Sequence, residues 1–279
     1  MLASFLITLR EGLEAALIVG IVLSVLRKLG QTDRKRPVWW GVGAAVLVSA
    51  AAGWLLNLLG IAFEGRGEQI FEGIAMLLAA GVLTWMIFWM QRQGRQVQAE
   101  LEHDVRRAVM AGSAWALFSL AFVAVVREGI ETALFLTAAA FSSTPALTLV
   151  GGLLGLVLAV VLGWLILAAG KRLDLRVFFR GTSVLLLLFA AGLFAHGVHE
   201  LQEAGVLPIL VEHVYDINSI LDENGTLGTF LKALLGYNGN PSLLEMLSYL
   251  GYLAVIGVLV RRGWRIPVRA ESPPAPQVA

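Results

Sequence analysis

The chain contains no cysteine. Disulfides, thiolate metal sites, iron–sulfur clusters and thiol nucleophiles are excluded, so any metal it handles must be held by oxygen or imidazole. Charge is also scarce: Asp, Glu, Lys and Arg make up 15% of the 279 residues, against 58% apolar ones. A soluble domain of this length would carry far more polar surface, and the composition points to a bilayer as solvent. The formal net charge of +1 leaves no nucleic-acid footprint. The N-terminus lacks a basic leader and a small-residue cleavage site, so its first apolar stretch is expected to be a retained span. A His-Glu-x-x-His motif is missing too. His199-Glu200 opens that pattern, but Glu203 stands where the second His is required. With no nucleophile motif either, an intramembrane hydrolase is set aside and no enzyme is expected.

What is present is a series of apolar runs. Seven are long enough, at roughly 20 residues, to cross a bilayer as helices. They cover about residues 3–26, 38–60, 69–90, 110–138, 146–170, 177–199 and 243–260. Backbone amides in lipid must be satisfied within their own segment, so an all-α integral membrane protein surrounded by lipid is predicted. The charges between runs give its orientation. One side holds Arg27, Lys28, Arg34, Lys35 and Arg36, then Arg92, Arg95, Arg106 and Arg107, then Lys171, Arg172, Arg176 and Arg180, then Arg261, Arg262, Arg265 and Arg269. Those are 17 of the 21 basic residues. The other side has Arg66 and Lys232 alone, which places the N-terminus outside and the C-terminus in the cytoplasm of a cytoplasmic (inner) membrane.

Two of the basic residues lie inside spans, each within a short motif. Arg10-Glu11-Gly12-Leu13-Glu14-Ala15-Ala16-Leu17 and Arg127-Glu128-Gly129-Ile130-Glu131-Thr132-Ala133-Leu134 agree at six of eight positions. They fall in the first and fourth spans, so each opens a unit of three. Three is odd, and the second unit therefore enters the membrane from the opposite face: a 3+3 inverted repeat plus one C-terminal helix. The expected division is 1–92 and 93–200 for the two repeats. Residues 201–242 would form an outer loop with a surface helix over Pro208–Leu221, 243–262 the seventh span, and 263–279 a disordered cytoplasmic tail.

Within each motif the Arg and the second Glu are four apart, and the two Glu are three apart. On a helix all three share one face. Ionisable groups at this depth cost about 3 to more than 10 kcal/mol each and mark ion paths or binding sites. Four carboxylates, Glu11, Glu14, Glu128 and Glu131, face two guanidiniums, Arg10 and Arg127, leaving a formal excess of two negative charges that a divalent cation can neutralise. Arginine would hold carboxylates ionised and aimed. The competing reading is a set of buried ion pairs that fixes helix register, although such pairs stabilise poorly and would need no excess acid. A scaffold or receptor subunit would likewise tolerate their removal.

A second constellation is expected toward the outer surface. Glu64, Glu68 and Glu72 stand at i, i+4, i+8 where the third span begins, and His196, His199, Glu200 and Glu203 at i, i+3, i+4, i+7 where the sixth ends. Carboxylate with imidazole suits iron, zinc or manganese over magnesium or calcium. The expected role is a capture site built on Glu72, His196, His199 and Glu200, with Glu64, Glu68 and Glu203 supporting. Solvated helix ends are the alternative. His103, among Glu100, Glu102 and Asp104, reads as a solvated face.

At its two Arg-Glu-Gly-x-Glu motifs the chain resembles the oxidase-dependent iron permeases, the fungal high-affinity permease and its bacterial EfeU-like relatives. The resemblance extends to His199-Glu200-Leu201-Gln202-Glu203-Ala204-Gly205 and to Leu235-Gly236-Tyr237-Asn238-Gly239-Asn240-Pro241-Ser242. It implies import of Fe²⁺ or Fe³⁺ by way of the four motif glutamates, with iron as transported substrate and no permanently bound cofactor. It also implies separate periplasmic or extracellular partners that bind or oxidise iron. A broader divalent permease for manganese or lead, or a proton-coupled metal exporter, is the alternative within transport.

Overall fold

The computed structural model describes residues 1–141, 145–169, 176–223 and 225–263. Among them the structure is helical, with no strand: α1 (Leu2–Lys28), a short 3-10 turn (Thr32–Arg34), α2 (Lys35–Ala62), α3 (Arg66–Met110), α4 (Ala114–Phe141), α5 (Pro145–Ala169), α6 (Arg176–Glu203), α7 (Thr226–Leu235) and α8 (Leu243–Gly263). Proline stays out of the helix interiors. Pro37 sits in the first turn of α2 and Pro145 opens α5, where a missing N–H costs nothing. Arg27 and Lys28 close α1 on its negative dipole end.

Five helices are long and apolar enough to cross a membrane, over Thr32–Leu59, Arg66–Met90, Pro145–Ile166, Val177–Glu203 and Leu243–Arg261. Their outward surfaces carry bulky apolar side chains, among them Leu47, Trp54, Leu78, Leu149, Leu153, Val157 and Val255, a surface made for lipid tails. The sequence led us to expect seven spans. α1 and α4 fall short by composition because each holds three motif charges near its middle, although they are 27 and 28 residues long.

α3 differs from expectation in length. Its span was placed at 69–90 with a loop beyond, yet the helix runs for 45 residues to Met110, so the 92/93 boundary between units falls inside it. The 91–110 segment is rich in Gln, Glu and Arg, all good helix formers. The helix ends only at Gly112, whose φ of 67° lets its N–H reach Val109 O at 3.0 Å while Ser113 N–H reaches Ala108 O at 3.2 Å. Val105 and Ala108 in this extension pack on Val22, Val25 and Leu26 of α1 and Leu117 and Ala121 of α4.

The connection from α6 to α8 is a second correction. Pro208–Leu221 is not helical; the surface helix is α7, at Thr226–Leu235. The earlier stretch is rich in β-branched residues, which favour extended backbone. It pairs with the residues ahead of α8: Val214 N–H donates to Pro241 O, Ile217 N–H to Gly239 O, and Leu243 N–H to Val211 O. The expected disordered tail begins at residue 263, but Gly263 is the last residue of α8; residues 264–279 lie outside the described residues.

Helix pairing is set by small residues. α1 lies along α5, α2 along α4, and α3 along α6. A methyl group on Gly12 would stand 2.7 Å from Ala159 Cβ, and one on Gly163 would stand 2.6 Å from Ala16 Cβ. Gly151 meets the Met1 carbonyl. The α2–α4 pair repeats this pattern: Gly129 faces Ser49, Gly53 faces Ala133, and Gly41 meets the Phe118 carbonyl. Both sets run in the same direction along both partners, so each pair is parallel. Close backbone approach through small residues is how helices pack where lipid removes the hydrophobic drive.

Candidate metal site

Packing α1 and α4 against each other and against the α3–α6 pair puts both charged motifs into the bundle centre. Arg10 and Glu11 are each 1% exposed, and Glu14 and Glu128 each 6%. The i, i+4 spacing does what the sequence predicted. Arg10 Nε lies 3.2 Å from Glu14 Oε1, and Arg127 Nε donates to Glu131 Oε1 at 3.0 Å. Arg10 reaches its first glutamate as well, Nη1 to Glu11 Oε1 at 3.5 Å, and contacts Met86 Sδ of α3.

The motifs then converge. Glu11, Glu128 and Glu131 each bring one carboxylate oxygen to within 4.8 Å of the other two. Two oxygens on one ion cannot stand farther apart than twice the metal–oxygen bond, about 4.4 Å for bonds of 2.2 Å. Pairwise separations within 4.8 Å are comparable with that span. Glu11 Oε2, Glu128 Oε2 and Glu131 Oε2 are buried without a hydrogen-bond donor. Buried acceptors in a native fold are otherwise nearly always satisfied. Glu14 Oε1 is a fourth such oxygen, so every motif carboxylate carries a buried acceptor that a cation can satisfy.

The two halves are not alike. The Arg10 side chain is 2% exposed, whereas that of Arg127 is 39% exposed and lies over the Trp89 ring at 4.6 Å. Glu14, held by Arg10, is absent from the three-donor set. Ser49, facing Gly129, places a buried hydroxyl without a hydrogen-bond partner beside the second motif, where the first motif faces Ala159.

Of the second constellation, His199 is the hub. Its Nε2 stands 3.2 Å from Glu203 Oε1 and its Nδ1 3.4 Å from Glu245 Oε2. Gln69 donates to Glu203 at 3.0 Å. His196 is buried, with Nδ1 lacking a hydrogen-bond partner. Glu72 and Glu200 are half-buried on the facing helices α3 and α6. Glu64 lies in the turn before α3, so it does not continue the helical row of Glu68 and Glu72, and both Glu64 and Glu68 are exposed. Among the described residues, this group does not gather three donors as tightly as the central one does. His103 is exposed beside Arg107, as expected of a solvated face.

Glu245 was not singled out in the sequence. It is 2% exposed, accepts from Asn238 Nδ2 at 2.9 and 3.0 Å, and borders a cavity of about 260 Å³ with Tyr215, Tyr237 and Tyr249. The signal was there: it is the one acid in the last apolar run, directly after Asn238-Gly239-Asn240-Pro241-Ser242.

Comparison with known proteins identifies the family. The sequence profile of the iron permease FTR1 family matches residues 1–267. The ferrous iron permease EfeU of Shigella sonnei is 38% identical over 274 residues, covering 98% of each chain, and that of Escherichia coli O157:H7 matches equally. The ferrous iron permease EfeU of Yersinia pestis is 36% identical over 255 residues, 91% of this chain and 90% of the relative. No solved structure matches the chain. These relatives are membrane permeases, not enzymes, and a family profile that covers nearly the whole sequence leaves one assignment: this chain belongs to the iron permease FTR1 family.

Proposed function

We propose that this chain imports iron, as Fe²⁺ or Fe³⁺, across the cytoplasmic membrane through a carboxylate site made by its two Arg-Glu-Gly-x-Glu motifs. The observation that carries this reading is the convergence of Glu11, Glu128 and Glu131, with three buried oxygens lacking donors. Glu14 completes the carboxylate complement, and Arg10 and Arg127 aim the acids and limit their mutual repulsion. Iron is the substrate, captured first near Glu72, His196, His199 and Glu200 on the outer side, with Glu203 and Glu245 positioning His199. Iron-binding or iron-oxidising proteins outside the membrane would deliver it.

The architecture we propose is a seven-span bundle built on a 3+3 inverted repeat, N-terminus outside. Two observations support it. α1 runs parallel to the apolar α5 from Met1 to Ala16, and α4 runs parallel to α2 from Phe118 to Ala133, so both charged helices extend to the depth of a spanning neighbour. The contacts themselves also correspond. Met1, Gly12 and Ala16 stand at the same offsets from Arg10 as Phe118, Gly129 and Ala133 do from Arg127. Their partners Gly151, Ala159 and Gly163 on α5 keep the spacing of Gly41, Ser49 and Gly53 on α2. Exchanging the halves maps one set onto the other, as an inverted repeat requires.

The test is radioactive iron uptake by cells or proteoliposomes carrying Glu14→Ala or Glu131→Ala at wild-type membrane levels. Loss in both is expected; near wild-type uptake by both would remove the site. An all-oxygen donor set does not by itself select iron over manganese. Competition by Mn²⁺ and Pb²⁺ in the same assay separates an iron permease from a broader divalent permease.

A further inference from the structure

The two second glutamates of the motifs are related by exchange of the repeat halves, yet the structure treats them differently. Glu131 is tied to Arg127 through Oε1 and keeps Oε2 free of any hydrogen-bond donor, within the set it shares with Glu11 and Glu128. Glu14 Oε1 stands 3.2 Å from Arg10 Nε without forming a hydrogen bond, and Glu14 lies outside that set. Arg10 also holds Glu11, so it binds the first motif into one closed cluster, 2% exposed. Arg127 leaves the second motif open, with 39% of its side chain accessible and Trp89 under its guanidinium. A charge open at mid-helix is tolerated beside a water-filled path and not against lipid.

From this asymmetry we infer that Glu131 and Glu14 alternate as the third ligand to the cargo, Glu131 in the described conformation and Glu14 in the one reached by exchanging the halves. The inference rests on the carboxylate site proposed above. Exchange carries Glu11 onto Glu128 and Glu131 onto Glu14, so the donor set becomes Glu128, Glu11 and Glu14. In that state Arg127 closes on Glu128 and Glu131 as Arg10 now closes on Glu11 and Glu14. Glu11 and Glu128 belong to both sets and never release the ion during the change. The swap of a single ligand transfers the cation from one open half to the other without emptying the site, and no proton or redox partner is needed for the exchange itself.

The roles of the two residues then separate. Glu131→Gln removes a ligand from the conformation that the free protein favours, so binding must draw on the minor conformation and weakens accordingly. Glu14→Gln leaves that first set whole. Binding of Fe²⁺ to the purified full-length protein is measured under anaerobic conditions, alongside uptake in proteoliposomes. The expected result is that both variants lose uptake, that Glu131→Gln binds Fe²⁺ about tenfold or more weakly, and that Glu14→Gln binds within about threefold of the wild type (a factor of three is about 0.65 kcal/mol). Equal weakening in the two variants, or greater weakening in Glu14→Gln, overturns the alternation while keeping the carboxylate site. Wild-type uptake in both overturns the site itself. If a Gln variant does not reach the membrane, Glu14→Asp and Glu131→Asp keep the charge and shorten the reach. The same ordering of binding is expected of them, and its absence overturns the alternation equally.

Discussion

Glu131 is held by Arg127 through one carboxylate oxygen at 3.0 Å while its other oxygen stays buried and without a donor. A side chain fixed on one side and unsatisfied on the other is oriented before any ion arrives, which is how a site lowers the cost of ordering its ligands. It also makes the arginine a positioning residue, dependent on its Nε–H donor.

Arg127→Lys keeps the charge but loses both the Nε contact with Glu131 and the guanidinium contact over the Trp89 ring. A charge-assisted hydrogen bond is worth about 1.5–3 kcal/mol, so uptake is expected to fall roughly tenfold or more at unchanged membrane levels. Uptake within a factor of two of wild type would show that positive charge alone suffices at this position.

Gly129→Ala drives a methyl group to 2.6 Å from Ser49 Cβ. Overpacking of this kind costs about 1–3 kcal/mol, read as a lower thermal midpoint in detergent and reduced uptake. Ser49→Gly in the same chain removes the obstacle and is expected to restore most of both. Failure of the double variant to recover would place the defect in the motif backbone instead of the α2–α4 contact.

Glu245→Ala leaves Asn238 and His199 without their shared acceptor under the outer segment. Loss of a buried hydrogen-bonding partner costs about 1–3 kcal/mol. The expected sign is faster cleavage within residues 206–223 in limited proteolysis, because that stretch is tied to 239–243 by only a few backbone hydrogen bonds. Unchanged cleavage would mean that the outer segment is held without Glu245.

His199→Ala tests capture separately from passage. If His199 serves the proposed capture site, its removal should raise the KM for iron about tenfold with little change in maximal rate, since the central carboxylates remain. A fall in maximal rate at constant KM would assign His199 to a later step.

Much of this was legible in the sequence, for identifiable reasons. The three-residue and four-residue spacings of the motifs determine which side chains share a helix face, and the Arg–Glu pairs formed where that spacing puts them. Convergence of Glu11 with Glu128 and Glu131 depends on how two helices cross, which spacing within either helix does not contain. The missing helix over Pro208–Leu221 shows the same limit: its apolar periodicity was compatible with a helix, but pairing with 239–243 satisfied the backbone in extended form. Nothing in the spacing around Glu245 marks it as a buried acceptor. Its burial depends on the fold of the loop above it.

The 45-residue helix α3 packs on α6 along its first half, and its last turns pack on the C-terminal end of α1 and the N-terminal end of α4. Under the topology proposed above, a tilt of this lever at one membrane face would be carried to the far ends of the two helices that hold the charged motifs. Opening on one side of the membrane and closing on the other would then be a single displacement, with no signal passed from residue to residue.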